Sequence, residues 1–456
     1  MGARFLACAW DPTPGAPPER LQSVQGDLAA AFGGPAAYIG PGMAVWSRAG
    51  IALPVRPLAN GGVLIGRLCG GPSPPPGPAA VMARSLIAQG WGTYVAVLAG
   101  EGAHPWWALR DPSGAMDALT WRMEGLRLLA DDLEGVPPRL WPARLALDWR
   151  AIGRIVRSPL AAAGGSALAD LVAVAPGDLQ PFGGEAREAV ALWRPAWVAA
   201  RSCPADPETR LRAVISETVD ALGAAHGPLV VETSGGLDSS IVARSLARGP
   251  ARDRARIAFN QYAAERDSDE RAYARRVCDL AGLRLRAQAK PIARIEPSDL
   301  TALAGGVRPP VSALDLIRDR VLIDLAREVG AAAVMTGQGG DAVFFQMPAA
   351  HVVADLWRDR GPGPAFLTGL TETAQWLRRS VWSVLAEAGR PRNPADLAPL
   401  RPFWGPAVRF ADGPTRSRVS APPRRVRISA PPPTGPAPTS SAPGGAAQDR
   451  VGPVPE

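Results

Sequence analysis

A chain of 456 residues is long enough for two or three domains, each burying its own core. Apolar residues at 47% and charged residues at 20% suit a globular protein, and no apolar run nears the ~18 residues of a membrane span. The net charge of +8 does not mark a nucleic-acid face, because its arginines are spread along the chain and its densest group, six against three acids, falls in residues 411–456.

The first ten residues carry a short apolar patch that Asp11 cuts off. It is too short for a signal h-region and no small-residue cleavage site follows, so a cytoplasmic protein is expected. Residues 1–200 contain short apolar runs broken by Gly and Pro. Strands are predicted at 62–66 and 93–98, a loop at 72–78 and a helix at 81–89. From 205 to 345 the texture changes to strands alternating with helices. Strands are predicted at 229–233, 257–262, 283–289 and 331–335, and helices at 239–248, 267–281 and 313–329. The helix at 267–281 is expected to bury Ala272, Tyr273, Val277, Leu280 and Ala281. That at 313–329 repeats Leu316, Ile317, Val321, Leu325 and Val329 near period 3.6. This alternation predicts an α/β fold with a parallel sheet covered by helices on both faces. From Asp412 the chain is rich in Pro, Ala, Ser and Arg without apolar periodicity, which predicts disorder.

Cys8, Cys69, Cys203 and Cys278 are far apart and form no CxxC pair. All four are expected as buried small hydrophobes. The three histidines are equally scattered, so no histidine metal site is predicted.

The strongest chemical signal is Thr233-Ser234-Gly235-Gly236-Leu237-Asp238-Ser239-Ser240. A buried strand ends, a Gly-Gly turn follows and a helix begins. The first amides of that helix lack intrahelical partners and favour an anion, and the glycines let phosphate approach the backbone. Ser234, Ser239 and Ser240 add hydroxyl donors. The common P-loop is excluded because its lysine is missing. A bare Gly-Gly is an ordinary turn with a polar helix cap; the whole string on a strand–turn–helix frame is a phosphate site. A second strand runs into Thr336-Gly337-Gln338-Gly339-Gly340-Asp341. Three glycines in four positions suit close backbone approach to a ligand. Asp238 and Asp341 both follow strand ends of one sheet, where two carboxylates can share a Mg²⁺ bound to ATP phosphates.

The string SGGLDSS, with TGQGGDAVF about a hundred residues later, resembles the asparagine synthetase family, which includes β-lactam synthetases and lasso peptide cyclases. The resemblance is specific over 229–345 and weaker over 1–200. It implies adenylation: ATP activates a carboxylate, pyrophosphate departs, and an amine attacks to give an amide. By motif position, Ser234 to Ser240 would grip pyrophosphate, Asp238 and Asp341 would hold Mg²⁺, and Thr233, Thr336 and Gly337 would lie near the adenosine and α-phosphate. Ser268 to Ala274 resembles the acidic helix start that follows the second strand in this family. Asp269 and Glu270 are read there chiefly as helix N-terminal charges.

The stretch Arg110-Asp111-Pro112-Ser113-Gly114 after the strand at 94–98 resembles the RDPxG segment of class II glutaminase domains. A working glutaminase needs an N-terminal cysteine whose own amine serves as base. This sequence begins Met1-Gly2-Ala3 and its first cysteine is Cys8, so a degenerate domain without glutamine hydrolysis is expected. The implied organisation is a degenerate class II glutaminase-like domain (Ntn, αββα) over 1–200. An adenine-nucleotide α-hydrolase-like pyrophosphate-loop synthetase domain follows over 205–410, then the tail 411–456.

Asparagine synthetases carry Gly-Glu-Gly and an Asp-Glu pair in the second loop. Here the residues are Gly337-Gln338-Gly339 and Asp341-Ala342, which look more like lasso peptide cyclases. The substrate would be a leaderless precursor core peptide whose Asp or Glu side chain is joined to its own N-terminal amine. A leader peptidase and a leader-binding protein are the partners this implies, with ATP and Mg²⁺ as cofactors and no nucleic acid. The carboxyl-terminal lysine of characterised relatives has no counterpart, since Lys290, the only lysine, precedes the second loop and is read as a surface residue. The rivals are a small-molecule amide synthetase of β-lactam or asparagine synthetase type, and a catalytically impaired nucleotide-binding scaffold. A tRNA-modifying pyrophosphate-loop enzyme would carry cysteines and a basic surface that this sequence lacks.

Overall fold

Residues 3–11, 17–50, 53–100, 105–157, 165–183, 188–199, 201, 203–263, 269–291, 296–303, 307, 316–343 and 350–389 are described by a computed structural model. The tail 411–456 and the starts of the helices expected at 267 and 313 lie outside these residues.

The amino-terminal half runs β1 (Phe5–Ala9), α1 (Glu19–Ser23), α2 (Gln25–Phe32), β2 (Tyr38–Gly40), β3 (Met43–Ser47), β4 (Val55–Pro57), β5 (Val63–Gly70), α3 (Ala79–Gln89), β6 (Gly90–Ala99), β7 (Trp106–Arg110), β8 (Leu119–Met123), β9 (Leu126–Ala130), α4 (Trp149–Arg157), β10 (Val172–Ala173), β11 (Asp178–Pro181), β12 (Val190–Ala191) and α5 (Pro195–Ala199). The strands form two six-stranded sheets, ordered β10-β8-β9-β1-β3-β2 and β12-β11-β7-β6-β5-β4. All their pairings are antiparallel. Between the sheets, Phe5, Ala7 and Ala9 pack with Val63, Ile65, Val95 and Val97. On the outer face of the first, Leu6 and Cys8 pack under Leu21, Leu28 and Phe32 of α1 and α2. On the outer face of the second, Leu64, Tyr94 and Leu98 pack under Met82, Ala83 and Leu86 of α3. The result is a helix–sheet–sheet–helix stack. It explains why β1 reads as a continuous apolar run: alternate side chains enter two different cores, so neither face needs to be polar. In α3 the buried positions Ala79, Met82, Ala83 and Leu86 follow the spacing of one helical face.

The Arg-Asp-Pro-Ser-Gly turn after β7 is locked from inside. Arg110 is 1% exposed. Its Nε donates to the Met116 carbonyl at 2.7 Å, and Nη2 reaches Gly114 O at 2.6 Å and Asp117 Oδ1 at 2.7 Å. Asp111, also buried, accepts from the amides of Ser113 at 2.8 Å and Tyr94 at 3.2 Å. Burial still pushes the Asp111 carboxyl above its usual range, against the lowering effect of those hydrogen bonds. The motif therefore acts here as a latch between β6 and β7.

Cys8 sits mid-strand, paired across to Ala44 and Leu128. Complete burial raises its thiol pKa, and burial pushes that of Cys278 up to about 11. The expectation of four buried cysteines holds for these two only, since Cys69 is half-buried and Cys203 is exposed. Cys69 lies at the far end of β5, next to Gly70 and beyond the clustered core, and Cys203 lies in the connection after α5. A maleimide added to the native protein should modify Cys203 and spare Cys8 and Cys278 until unfolding. Peptide mass spectrometry showing early labelling at Cys8 would contradict the placement of β1.

The second half continues with α6 (Pro207–Ala225), β13 (Leu229–Glu232), α7 (Leu237–Arg248), β14 (Ala255–Tyr262), α8 (Arg271–Ala281), β15 (Leu285–Ala289), α9 (Pro297–Leu303), α10 (Leu316–Glu328), β16 (Ala333–Met335), α11 (Gly340–Val343), α12 (His351–Arg360), α13 (Pro364–Trp376) and α14 (Val381–Ala388). The expected parallel sheet is present, four strands ordered β15-β14-β13-β16. Leu229 and Val231 of β13 face α6 and α7 through Val219, Ala243 and Leu246. Val230 and Phe259 face α10 through Leu322 and Leu325. Helices α12 to α14 share a small core of Val353, Phe366, Leu370 and Val384. Among the described residues no helix is long and apolar enough to cross a membrane.

Helix α8 corrects one expectation. Its inward residues are Ala274 and Cys278, whereas Tyr273 is 69% and Leu280 57% exposed. The reason is close packing. The first turn of α8 lies so near Gly235 that a small side chain, Ala274, takes the inner position there, while Val277 packs partly buried one turn on.

Candidate active site

The strand order places the crossover between β13 and β16. β14 lies on one side of β13, and the chain returns to add β16 on the other. Such a switch point opens a crevice at the carboxyl ends of the strands, where ligands bind in open α/β sheets. Both glycine loops leave the sheet there, from neighbouring strands paired Leu229 to Ala333, Val230 to Val334 and Val231 to Met335.

The first loop is held by its own polar groups. Thr233 is fully buried, and its amide donates to Phe259 O at 2.8 Å. Asn260, 2% exposed, donates from Nδ2 to the carbonyls of Thr233 at 2.9 Å and Ser234 at 3.2 Å. Its Oδ1 has no partner among the described residues. Ser234 Oγ accepts from the Gly236 amide at 3.1 Å and shares a hydrogen bond with Ser239 Oγ at 2.9 Å. Ser240 Oγ donates back to Gly236 O at 2.7 Å. The hydroxyls of Ser239 and Ser240 are therefore spent inside the turn. What faces the crevice is the mouth of α7, whose N-cap residue is Gly236 and whose first amides have no side-chain cap. That end carries partial positive charge.

Gly235 adopts φ +101°, a left-handed conformation that glycine tolerates. A side chain there would strike the Glu270 carbonyl and the Tyr273 Cβ, each at 2.9 Å. The start of α8 thus walls the loop. Asp269 Oδ1 accepts from the Arg271 amide at 3.1 Å, and its carboxylate pairs with the Arg271 guanidinium at 2.6 Å. That guanidinium, 3.8 Å over the Tyr262 ring, holds the Asp269 carboxyl down at about 2. Asp269 serves the helix start here, as its sequence position suggested.

The second loop lies against the first. A Cβ on Gly337 would land on the backbone of Asp238 and Ser239, and one on Gly340 would land on the Asp238 carboxylate. Thr336 Oγ1 accepts from the Gln338 amide at 3.3 Å, and Gly339 takes φ +96°. Asp341 follows Gly340 in α11; its side chain lies outside the described residues. Thr233, Ser234 to Ser240, Thr336 and Gly337 are thus gathered along one sheet edge, with the exposed Leu237 at its rim. Among the described residues no group of three or more His, Cys, Asp or Glu forms a metal site by itself.

Residues 210–422 match the asparagine synthase family model. The match supports the asparagine synthetase family and, with it, an ATP-dependent ligase that forms amide bonds. No curated protein matches the chain. Among solved structures it is similar to the allosteric regulatory enzyme of purine biosynthesis, at 11% identity and TM-score 0.22, covering 74% of this chain and 84% of that one. It is also similar to glutamine phosphoribosylpyrophosphate amidotransferase from B. subtilis complexed with ADP and GMP, at 10% identity and TM-score 0.19, covering 86% and 88%. Likenesses of this size carry no argument.

The asparagine synthase segment contains both loops and also groups that the sequence did not single out. Asn260 is one, the only polar residue among the four buried positions of β14. Glu232 and Arg318 are another pair. Arg318, in the first turn of α10, grips the last residue of β13 with Nε–Oε1 at 2.8 Å and Nη2–Oε2 at 2.6 Å. No spacing rule links positions 86 apart. Lys290, expected on the surface, is exposed just past the end of β15.

Proposed function

We propose that this protein closes a macrolactam in a lasso-type precursor peptide, joining an Asp or Glu side chain to the peptide's N-terminal amine through an acyl-adenylate. The observation that carries the adenylation is the meeting of the two glycine loops at the β13–β16 switch point, with Gly337 and Gly340 seated on Ser239 and Asp238. Backbone amides at the mouth of α7 would hold the pyrophosphate, joined by the Ser234 hydroxyl once it turns from Ser239 Oγ. Thr233, Thr336 and Gly337 would flank the adenosine and α-phosphate. The peptide carboxylate oxygen bonds to the α-phosphorus as the bond to pyrophosphate breaks. The amine then bonds to the acyl carbon, AMP leaves with the carboxylate oxygen, and the ammonium proton passes to solvent.

The donors present fit a magnesium ion: a hard carboxylate at Asp238 lies against Gly340 of the second loop, and Mg²⁺ takes one or two carboxylates together with phosphate oxygens. Asp238 and Asp341 would hold it, and when bound it neutralises charge on the phosphates. The division into a scaffold over 1–200 and a synthetase over 205–410 belongs to the same reading, as do a cytoplasmic setting, a leader peptidase and a leader-binding partner. Two residues favour a peptide over aspartate as substrate. Gln338 and Ala342 replace the glutamates that asparagine synthetases carry. Cys8, buried mid-strand, is no nucleophile for releasing ammonia from glutamine.

The test supplies ATP, Mg²⁺ and a leaderless core peptide taken from any short precursor gene found beside this one. Pyrophosphate release with a product lighter by one water is expected, while free aspartate stays inert. Pyrophosphate exchange driven by a small amino acid alone would replace the peptide reading with a small-molecule synthetase. ATP binding without release from any carboxylate would leave an impaired scaffold.

A further inference from the structure

We infer that Arg318 is a positioning residue that ties the two glycine loops together, gripping Glu232 with one edge of its guanidinium and reaching Gln338 with longer contacts from another. The inference rests on the adenylation reading for its kinetic consequence, though not for its geometry. Glu232 ends β13 and directly precedes the first loop; Gln338 is the middle of the second. The Arg318–Glu232 pair is two-pronged and partly shielded, with side chains 24% and 17% exposed. That holds the guanidinium plane in one orientation. Its Nη1 and Nη2 both lie 3.5 Å from Gln338 Oε1. Gln338 has glycine on either side, and Gly339 is in the left-handed region, so the loop is costly to order by itself. A fixed donor reaching over from α10 restricts it and keeps Gly340 against Asp238. The neutral side chain at 338 matters. A carboxylate there would compete with Glu232 for one cation, whereas an amide oxygen accepts without pulling the ion pair apart.

An ordinary stabilising ion pair would affect melting alone. Arg318→Lys keeps a charge for Glu232 but loses the fork that reaches Gln338, and Gln338→Ala removes the other end. Each variant should melt within a few degrees of the parent. Each should speed amide hydrogen exchange in a 336–340 peptide about tenfold and lower kcat for pyrophosphate exchange about tenfold, with KM for ATP nearly constant. The double variant should be no worse than either single one. Parental loop exchange in both single variants, or defects that multiply in the double variant, would overturn the inference. If the parent enzyme exchanges no pyrophosphate, the functional reading fails, and the hydrogen-exchange comparison still decides the role of Arg318.

Discussion

Gly337→Ala is expected to lower pyrophosphate exchange about 100-fold and to destabilise the fold by about 1–3 kcal/mol. The new Cβ would meet the Asp238 carbonyl carbon and the Ser239 Cα at 2.7 Å, and the Ser239 amide nitrogen closer still. These are backbone atoms in the first turn of α7 and cannot swing aside as the tip of a side chain does. Either the second loop withdraws or the mouth of α7 lifts, and in both cases the two glycine loops separate. A displacement near 1 Å at a reacting centre costs about two orders of magnitude. Gly339→Ala is the control. A Cβ there meets nothing within 4 Å, but the φ of +96° is strained for alanine. It should cost about 1–3 kcal/mol of stability and less activity. Exchange kinetics set beside calorimetric melting separate the two. Parental kinetics in Gly337→Ala would mean that the loops part in the working enzyme.

What was legible in the sequence is what is local. A buried strand, a glycine turn and a helix follow one another within the stretch 229–248, so the first loop is readable without tertiary information. The strand order was not readable, because β16 pairs with β13 only after a connection of about a hundred residues, and no residue in either strand announces its neighbour. Periodicity found helix α8 but not its buried side. The apolar Tyr273 and Leu280 lost that side to Ala274 and Cys278, and at Ala274 the backbone lies close to Gly235. Arg318 and Glu232 pair across 86 positions of chain, which composition cannot reveal. In the amino-terminal half, β1 and β5 are apolar on both faces because each sheet is covered twice. The alternation that usually marks an antiparallel strand is therefore muted, even though the strands at 62–66 and 93–98 remained detectable from their bounding glycines and β-branched residues.

Asp238→Asn should lower pyrophosphate exchange by about 10²–10³-fold and leave melting almost unchanged. The two effects come apart because the carboxylate has two unequal roles. As an acid in the first turn of α7 it offsets the helix dipole, worth about 0.3–1 kcal/mol, and asparagine keeps the shape while losing that charge. As an oxygen donor at the junction of the loops it would, on the proposed reading, supply the charge that a phosphate-bound cation requires, and an amide supplies none. The residual activity of Asp238→Asn should accordingly need a higher Mg²⁺ concentration to saturate. Gly340→Ala isolates position from charge. Its Cβ lands among the atoms of the Asp238 carboxylate, a side-chain group that can rotate away, so the fold survives while the carboxylate leaves its place. Exchange should fall in Gly340→Ala although every charge is retained. An unchanged magnesium dependence in both variants would remove Asp238 from the metal site and leave it as a helix-terminal acid.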